Sequence, residues 1–455
     1  MEMPAQAFPV TADGYARRAG VGWLIAVVCL AVVTWTSIGL VQFNPTDHGA
    51  WKGDWQTAKN CIEQAARLPC EGVSKFPLAY LVNAGMTETS SGHTAVRLAT
   101  LNLFCLLLPL AALWLTRGWA LVVRAGWAYV LALALSPLPM FYVLSGALEV
   151  QAGVFCGLYI AAFVQVLTAR NLQPARSTWW MLGLAGFLFP LYKDTLALFM
   201  GTAMALLLLV AIRPLHALYQ HPAGRSRLRC AFAVAVGPVL LSQVLAAAYS
   251  WFKYGVPLPR AYMAEAELTT PALAKSAEFF FGSIFSPNGG LLVFWGGALL
   301  MGLVGWRIVG LVPRRQALLA ALTVLILSAV AFARWWAPFG WDAWGDRLLL
   351  PAALALLISA MCCLRILEPE QASNRSWVGA AVASIPLLVC SSYYTAVPYL
   401  SPKGEAMTRS LWPGPACVTM RDALATEAAD QGLAFWKGNT YYQCARERML
   451  HVPAP

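Results

Sequence analysis

Charge is what this sequence has least of. Only 12% of its 455 residues are charged, against 59% hydrophobic residues and a mean hydropathy of +0.61. Average soluble usage is about a quarter charged, so a soluble domain is excluded and an integral membrane protein remains. Histidine is scarce too: five are scattered over the chain, and none is joined by the neighbouring cysteines or acids of a metal motif. Also missing are Gly-x-Ser-x-Gly, the Walker phosphate loop, His-Glu-x-x-His and Cys-x-x-Cys. Hydrolase and nucleotide-driven transporter readings therefore lack support. There is no fixed-period repeat and no low-complexity segment.

What fills the chain is a succession of apolar runs about 20 residues long, the length a ~30 Å hydrocarbon core requires of a helix. They give eleven candidate spans: 21–42, 96–115, 126–144, 147–169, 178–192, 195–212, 230–252, 291–311, 316–333, 348–367 and 377–395. The fold expected is all-α and polytopic, with about 11 transmembrane helices and outward-facing loops carrying short surface helices. A β-barrel is not expected. The first run follows Arg17 and Arg18, is too long for a signal-peptide core and lacks a small-x-small exit, so it reads as a retained span. Lys193-Asp194 separates two short runs, 178–192 and 195–212. Two spans and a re-entrant or kinked element are both open there.

Arginine placement sets the orientation. With the N-terminus cytoplasmic, the inner segments hold Arg17, Arg18, Arg117, Arg124, Arg170 and Arg176, then Arg213, Arg225, Arg227, Arg229, Arg314, Arg315, Arg365 and Arg375. The opposite loops hold every lysine and most carboxylates. Arginine over lysine, with abundant alanine, leucine and tryptophan, fits a GC-rich bacterial genome. The expectation is a multi-pass protein of a bacterial inner (cytoplasmic) membrane, with its C-terminus in the periplasm. The net charge of +11 needs no nucleic acid, because the inner arginines meet anionic headgroups.

Seven cysteines (Cys29, Cys105, Cys156, Cys230, Cys362, Cys363 and Cys390) fall in apolar spans and read as small buried hydrophobes. The other four form two pairs, Cys61 with Cys70 and Cys417 with Cys444, both in outer segments where disulfides persist. Four free thiols are the alternative. Residues 1–395 read as a transmembrane domain with a first periplasmic loop at 43–95. Residues 396–455 read as a small periplasmic C-terminal domain that the Cys417–Cys444 bridge would staple, with a helix near 418–430 and a strand pair around Trp436 and Tyr441.

The outer loops carry the chemistry. Residues 52–67 set Trp55, Ala58, Ile62 and Ala65 on one helical face, an amphipathic helix for the membrane surface. Asp54 at its start is either an N-cap or a site carboxylate. Glu149 is placed at or just inside the membrane, where an ionisable group costs about 2.5–3.5 kcal/mol at helix-centre depth. It faces a cavity or a partner, or is solvated at a loop tip. The 253–290 loop contains an expected surface helix at 271–281, a turn at Pro287, Gly289 and Gly290, and Tyr262, Glu265 and Glu267 for contact with an acceptor. Trp335, Trp336, Trp341 and Trp344 either stack on a ligand or form an aromatic belt.

An inner N-terminus, one span, a large outer loop with an early acid in "GDWQTA", a surface helix and a second acid at the next outer turn follow in order. That order resembles the GT-C glycosyltransferases, polytopic enzymes that take a sugar from a polyprenyl phosphate on the outer leaflet. "WFKYGVPLPRAY" (251–262), "GSIFSPNGGLLVFW" (282–295) and "WWAPFGWDAWGDRLLLP" (335–351) look like segments at equivalent places in bacterial envelope members. The resemblance covers about residues 21–365. It departs at Trp55, where many members have a second acid, which makes Asp47 a rival to Asp54. It departs again at "KFPLAYL", where the proline-rich stretch is reduced to one proline.

The resemblance implies transfer, with inversion, from a polyprenyl-phosphate sugar to an envelope glycan, lipid or protein acceptor on the periplasmic face. Asp54 or Asp47 would be the base, and Glu149 would share that role or bind a metal or the acceptor. Lys193, Lys253, Arg260 and Arg347 are candidates for the donor phosphate, with Arg334 also on the outer side. For Arg347, a local pair with Asp346 or Asp342, or an interfacial anchor, is equally open. His93, Tyr262, Trp341, Trp344 and Asp346 are candidates for substrate contact. Metal dependence is open, because a carboxylate pair binds Mg²⁺ or Mn²⁺ or works without either. Two other readings stand beside this one. A transporter or flippase would use Glu149 and Lys193-Asp194 as a path, and a glycan polymerase or ligase would carry different loops.

Overall fold

The computed structural model describes residues 20, 23, 24, 26–28, 30, 31, 82, 94–134, 142, 143, 148–257, 273–285, 290–292, 312–334 and 347–362. Among them every regular element is helical and there is no strand. In chain order the helices are α1 (Thr94–Arg117), α2 (Trp119–Ala134), α3 (Leu148–Thr168), α4 (Arg176–Tyr192), α5 (Thr195–Val210), α6 (Ile212–Tyr219), α7 (Pro222–Tyr254), α8 (Leu273–Phe285), α9 (Val312–Phe332) and α10 (Leu350–Cys362). By length and composition, Leu148–Thr168, Pro222–Trp251 and Arg315–Phe332 are each able to cross a membrane. A fourth crossing results if Thr195–Val210 and Ile212–Tyr219, bent by 71°, count as one.

The centre of the bundle is α3. Its sequence is apolar on every face, the pattern of a helix surrounded by other helices, and all residues from Leu148 to Val166 are buried. It packs against α1, α4, α9 and α10. Gly153 and Gly157 bring α10 close. A Cβ on Gly153 would lie 2.9 Å from the backbone of Pro351, and one on Gly157 would lie 2.7 Å from Ile358 Cβ. Small residues four apart are how membrane helices make such an approach. Gly186 of α4 lies under the Tyr159 ring in the same manner, and the Tyr159 hydroxyl donates to the Ala235 carbonyl of α7 at 2.9 Å.

Polar contacts at opposite ends of α3 fix the helix directions. Glu149, in its first turn, lies near Lys193, just beyond the C-terminus of α4. Near its other end, Gln165 accepts from Thr178, in the first turn of α4, at 3.1 Å. The two helices are therefore antiparallel. Glu149 also meets Arg347, which precedes α10, while Gln165 donates to the carbonyl of Cys362, the last residue of α10, at 3.1 Å. Thus α10 runs parallel to α3.

The outside of the bundle is apolar. Leu198 (73% exposed), Trp180 (70%) and Val244 (63%) would be costly in water and are at home against lipid. The chain is a membrane protein on these grounds. Most of α7 is peripheral, which also places Cys230 at the exposed surface, whereas Cys105, Cys156 and Cys362 are buried. The expectation of a buried thiol fails at Cys230 because α7 turns that face outward.

Helix ends depart from the apolar runs where proline and glycine intervene. Gly118, at φ 91°, closes α1, its N–H bonding the Trp114 carbonyl at 2.8 Å. The chain re-enters a helix at once, so α2 begins at Trp119, ahead of the expected 126, and Arg124 is helical. Pro222 occupies the first turn of α7 and Gly255, at φ 70°, terminates it, so that Arg225, Arg227 and Arg229 lie on the helix. The expected span 195–212 breaks at Ala211, because Pro214 cannot donate to the Val210 carbonyl. The helix expected at 271–281 is α8, which packs on α9. The expected surface helix at 52–67, the span at 377–395, the tail 396–455 and all but two residues of the span at 291–311 lie outside the described residues.

Candidate functional site

Three candidate residues named from the sequence, distant along the chain, come together at one end of α3. Glu149 Oε1 lies 3.1 Å from Arg347 Nε and 3.8 Å from Lys193 Nζ. Glu149 and Lys193 are each 5% exposed, and Arg347 is the most open of the three. Local sequence explains each position. Glu149 is an acid in a helical first turn, where the helix dipole favours negative charge. Lys193 is extended (φ −154°, ψ 96°), its N–H still bonded to the Phe189 carbonyl at 3.0 Å, so α4 ends there and the side chain leaves the helix axis. Asp194 caps α5 by accepting the Thr195 N–H at 2.7 Å. Arg347 occupies the turn that leads into α10, its carbonyl accepting from Leu350 N–H at 3.3 Å.

Aromatic rings back both cations. The Phe332 ring, at the end of α9, is centred 5.4 Å from Lys193 Nζ, and the Tyr142 ring is centred 5.8 Å from Arg347 Cζ. The Tyr142 segment is tied down in turn. Asn102 of α1, fully buried, donates to the Tyr142 and Val143 carbonyls at 3.4 and 3.3 Å and accepts from Gln151 Nε2 of α3 at 2.9 Å. One amide thus links α1, the Tyr142 backbone and the helical turn that follows Glu149.

Burying a carboxylate costs several kcal/mol unless fixed partners compensate, and two cations on one oxygen are such compensation. The second oxygen, Oε2, is buried and has no hydrogen-bond partner among the described residues. Two cations and a carboxylate side by side suit an anionic group that approaches the cations. Among the described residues no group of three or more His, Cys, Asp or Glu is arranged to hold a metal.

The remaining candidates divide in two. Lys253 is in the last turn of α7. Gly183 of α4 lies against Val234 and Pro238, and Gly186 against Val239, so α7 runs parallel to α4 and ends on the side of Lys193. Arg334 follows α9 and reaches Ser276 Oγ of α8 at 3.5 Å. Asp54, Asp47, His93, Arg260, Tyr262, Trp341, Trp344, Asp346 and the cysteines 61, 70, 417 and 444 lie outside the described residues. Asn102, Tyr142, Gln151 and Phe332 are not among the candidates that the sequence suggests. Asn102 and Gln151 do carry a signal, as amides inside apolar runs, whereas Tyr142 and Phe332 resemble any other aromatic at a span end.

No protein-family model matches the chain, and no curated protein matches it. Among solved structures it is similar to ArnT from Cupriavidus metallidurans, a crystal structure bound to undecaprenyl phosphate. Identity is 15% and the TM-score 0.47, over 97% of this chain and 78% of that one. At that overlap the likeness carries no argument about function.

Proposed function

We propose that this chain is a membrane glycosyltransferase of the GT-C type. It moves a sugar from a polyprenyl-phosphate donor to an envelope glycan, lipid or protein acceptor on the periplasmic face, with inversion. The observation that carries the reading is the convergence of Lys193 and Arg347 on buried Glu149 at the end of a helix bundle with an apolar exterior. A phosphate attached to a lipid tail arrives from those surroundings, tail in the hydrocarbon and anion at the cations. When the glycosidic bond breaks, the phosphate oxygen gains charge, and preorganised cations lower the barrier to that step. Arg347 adds planar recognition of phosphate oxygens.

Glu149, held by both cations, takes the role of their counter-ion. The proton of the attacking hydroxyl goes to Asp54, with Asp47 as the rival. Lys253 and Arg260 supplement the positive charge, and His93, Tyr262, Trp341, Trp344 and Asp346 contact sugar and acceptor. The test is turnover of radiolabelled polyprenyl-phosphate sugars by the purified protein with an envelope lipid extract as acceptor. Wild type is expected to transfer label, and Asp54→Asn, eluting as wild type does, to lose about 100-fold or more. Movement of intact donor across vesicles with no transfer would replace this reading with transport.

A further inference from the structure

We propose that Glu149 is the product-release group of this site. At rest it occupies Lys193 and Arg347 in place of a lipid phosphate, and after transfer it competes for them against the lipid left behind. The inference rests on the donor class proposed above. Its structural basis is one carboxylate oxygen, within a buried cluster, 3.1 Å from Arg347 Nε and 3.8 Å from Lys193 Nζ.

The reaction itself creates the need. The donor is a phosphodiester with one negative charge. The acceptor oxygen bonds to the sugar's anomeric carbon, the bond from that carbon to the phosphate oxygen breaks, and its electron pair remains on the phosphate. The acceptor's proton goes to the base. The lipid is now a phosphomonoester whose second pKa is about 6, so near neutral pH it carries almost two negative charges. Lys193 and Arg347 therefore hold the product more tightly than the substrate, and an unopposed pair of cations would stall on it. A fixed carboxylate beside them repels a dianion about twice as strongly as a monoanion, because Coulomb energy scales with charge. Glu149 thus weakens product binding more than substrate binding.

A purely structural role for Glu149, holding the cations in place, makes the opposite prediction. The experiment measures binding of undecaprenyl phosphate and of its methyl diester to the full chain in lipid nanodiscs at about pH 7.5, above the monoester's second pKa. Wild type is compared with Glu149→Gln, which keeps the shape and removes the charge. The expected result is monoester binding tightened about tenfold and diester binding about threefold. In steady-state transfer, kcat and donor KM both fall, and added undecaprenyl phosphate inhibits more strongly. Weaker or unchanged monoester binding overturns the inference, and so does an equal gain for the two lipids. Should Glu149→Gln not remain monodisperse, Glu149→Asp draws the charge back by one methylene. It is expected to tighten the monoester about threefold and the diester less, and no change overturns the inference. If wild type binds neither lipid saturably, the donor reading itself falls. That result is distinct from a wild type that binds both lipids and a Glu149 variant that binds them no better.

Discussion

Among the described residues, Asn102 forms three hydrogen bonds that stand out in a place that water does not reach, two to the carbonyls of Tyr142 and Val143 and one from Gln151. Replacing it with leucine of similar volume removes all three, at roughly 1–2 kcal/mol on the scale of membrane-buried hydrogen bonds. A lowered thermal midpoint in detergent is the expected reading. Donor KM should rise as well, because the Tyr142 ring loses its hold beside Arg347. Arg347→Lys keeps the charge and loses the planar group beside that ring, and a fall in turnover of about tenfold is expected, short of the loss from removing the charge altogether. Glu149, Lys193 and Arg347 were each legible in the sequence as ionisable groups at the ends of apolar runs. That they form one cluster was not, since nothing in "YKDT" or "WGDRL" specifies a partner two helices away. For Arg347 the sequence suggests a local pair with Asp346 or Asp342, which lie outside the described residues, and the structure brings a carboxylate from α3 within 3.1 Å.

The packing of α3 on α10 depends on glycine at positions 153 and 157, and a methyl group at 157 would meet Ile358 at 2.7 Å. Gly157→Ala is expected to destabilise the protein by about 1–3 kcal/mol. Combined with Ile358→Ala, it should cost less than the sum of the two single changes, the signature of a shared contact in a double-mutant cycle. Because α10 follows directly on Arg347, Gly157→Ala should also raise donor KM, although residue 157 is about two turns from Glu149. At this scale the sequence was informative about helix interiors and less so about their ends. Apolar length located α1, α3, α4, α7, α9 and α10. Gly118 and Pro222 moved starts by about seven or eight residues, since helix signals are local backbone effects laid over a hydropathy pattern that does not register them. At Lys193-Asp194 the sequence leaves two spans and a re-entrant or kinked element open, and the structure ends α4 at Tyr192 and begins α5 at Thr195. The consequence of that break, a lysine side chain delivered to the α3 N-terminus, depends on tertiary packing.

The whole molecule has two unlike ends. At one, Glu149, Lys193 and Arg347 cluster. At the other, the α3–α4 connection passes through Asn171 and Leu172, both at φ 53°, and the arginines at the start of α7 lie on the side where α4 also begins. With the N-terminus inside, a membrane-impermeant thiol reagent added to intact cells should modify Pro257→Cys, just past α7, and spare Gln173→Cys, between α3 and α4, as read by peptide mass. The reverse pattern would place the cluster in the cytoplasm, where nucleotide-linked donors are available. Composition alone made the membrane class legible, and polar residues at run ends made one face of the molecule stand out. The central claim is that Lys193 and Arg347 act on the phosphate of a lipid-linked sugar, and the most direct measurement is donor turnover in Lys193→Met, Arg347→Met and the double variant, each matched to wild type for folded yield. A loss of about 100-fold is expected in each single variant, as for removal of a preorganised charge from a transition state, and near-complete loss in the double. Wild-type turnover in the double variant would contradict the claim.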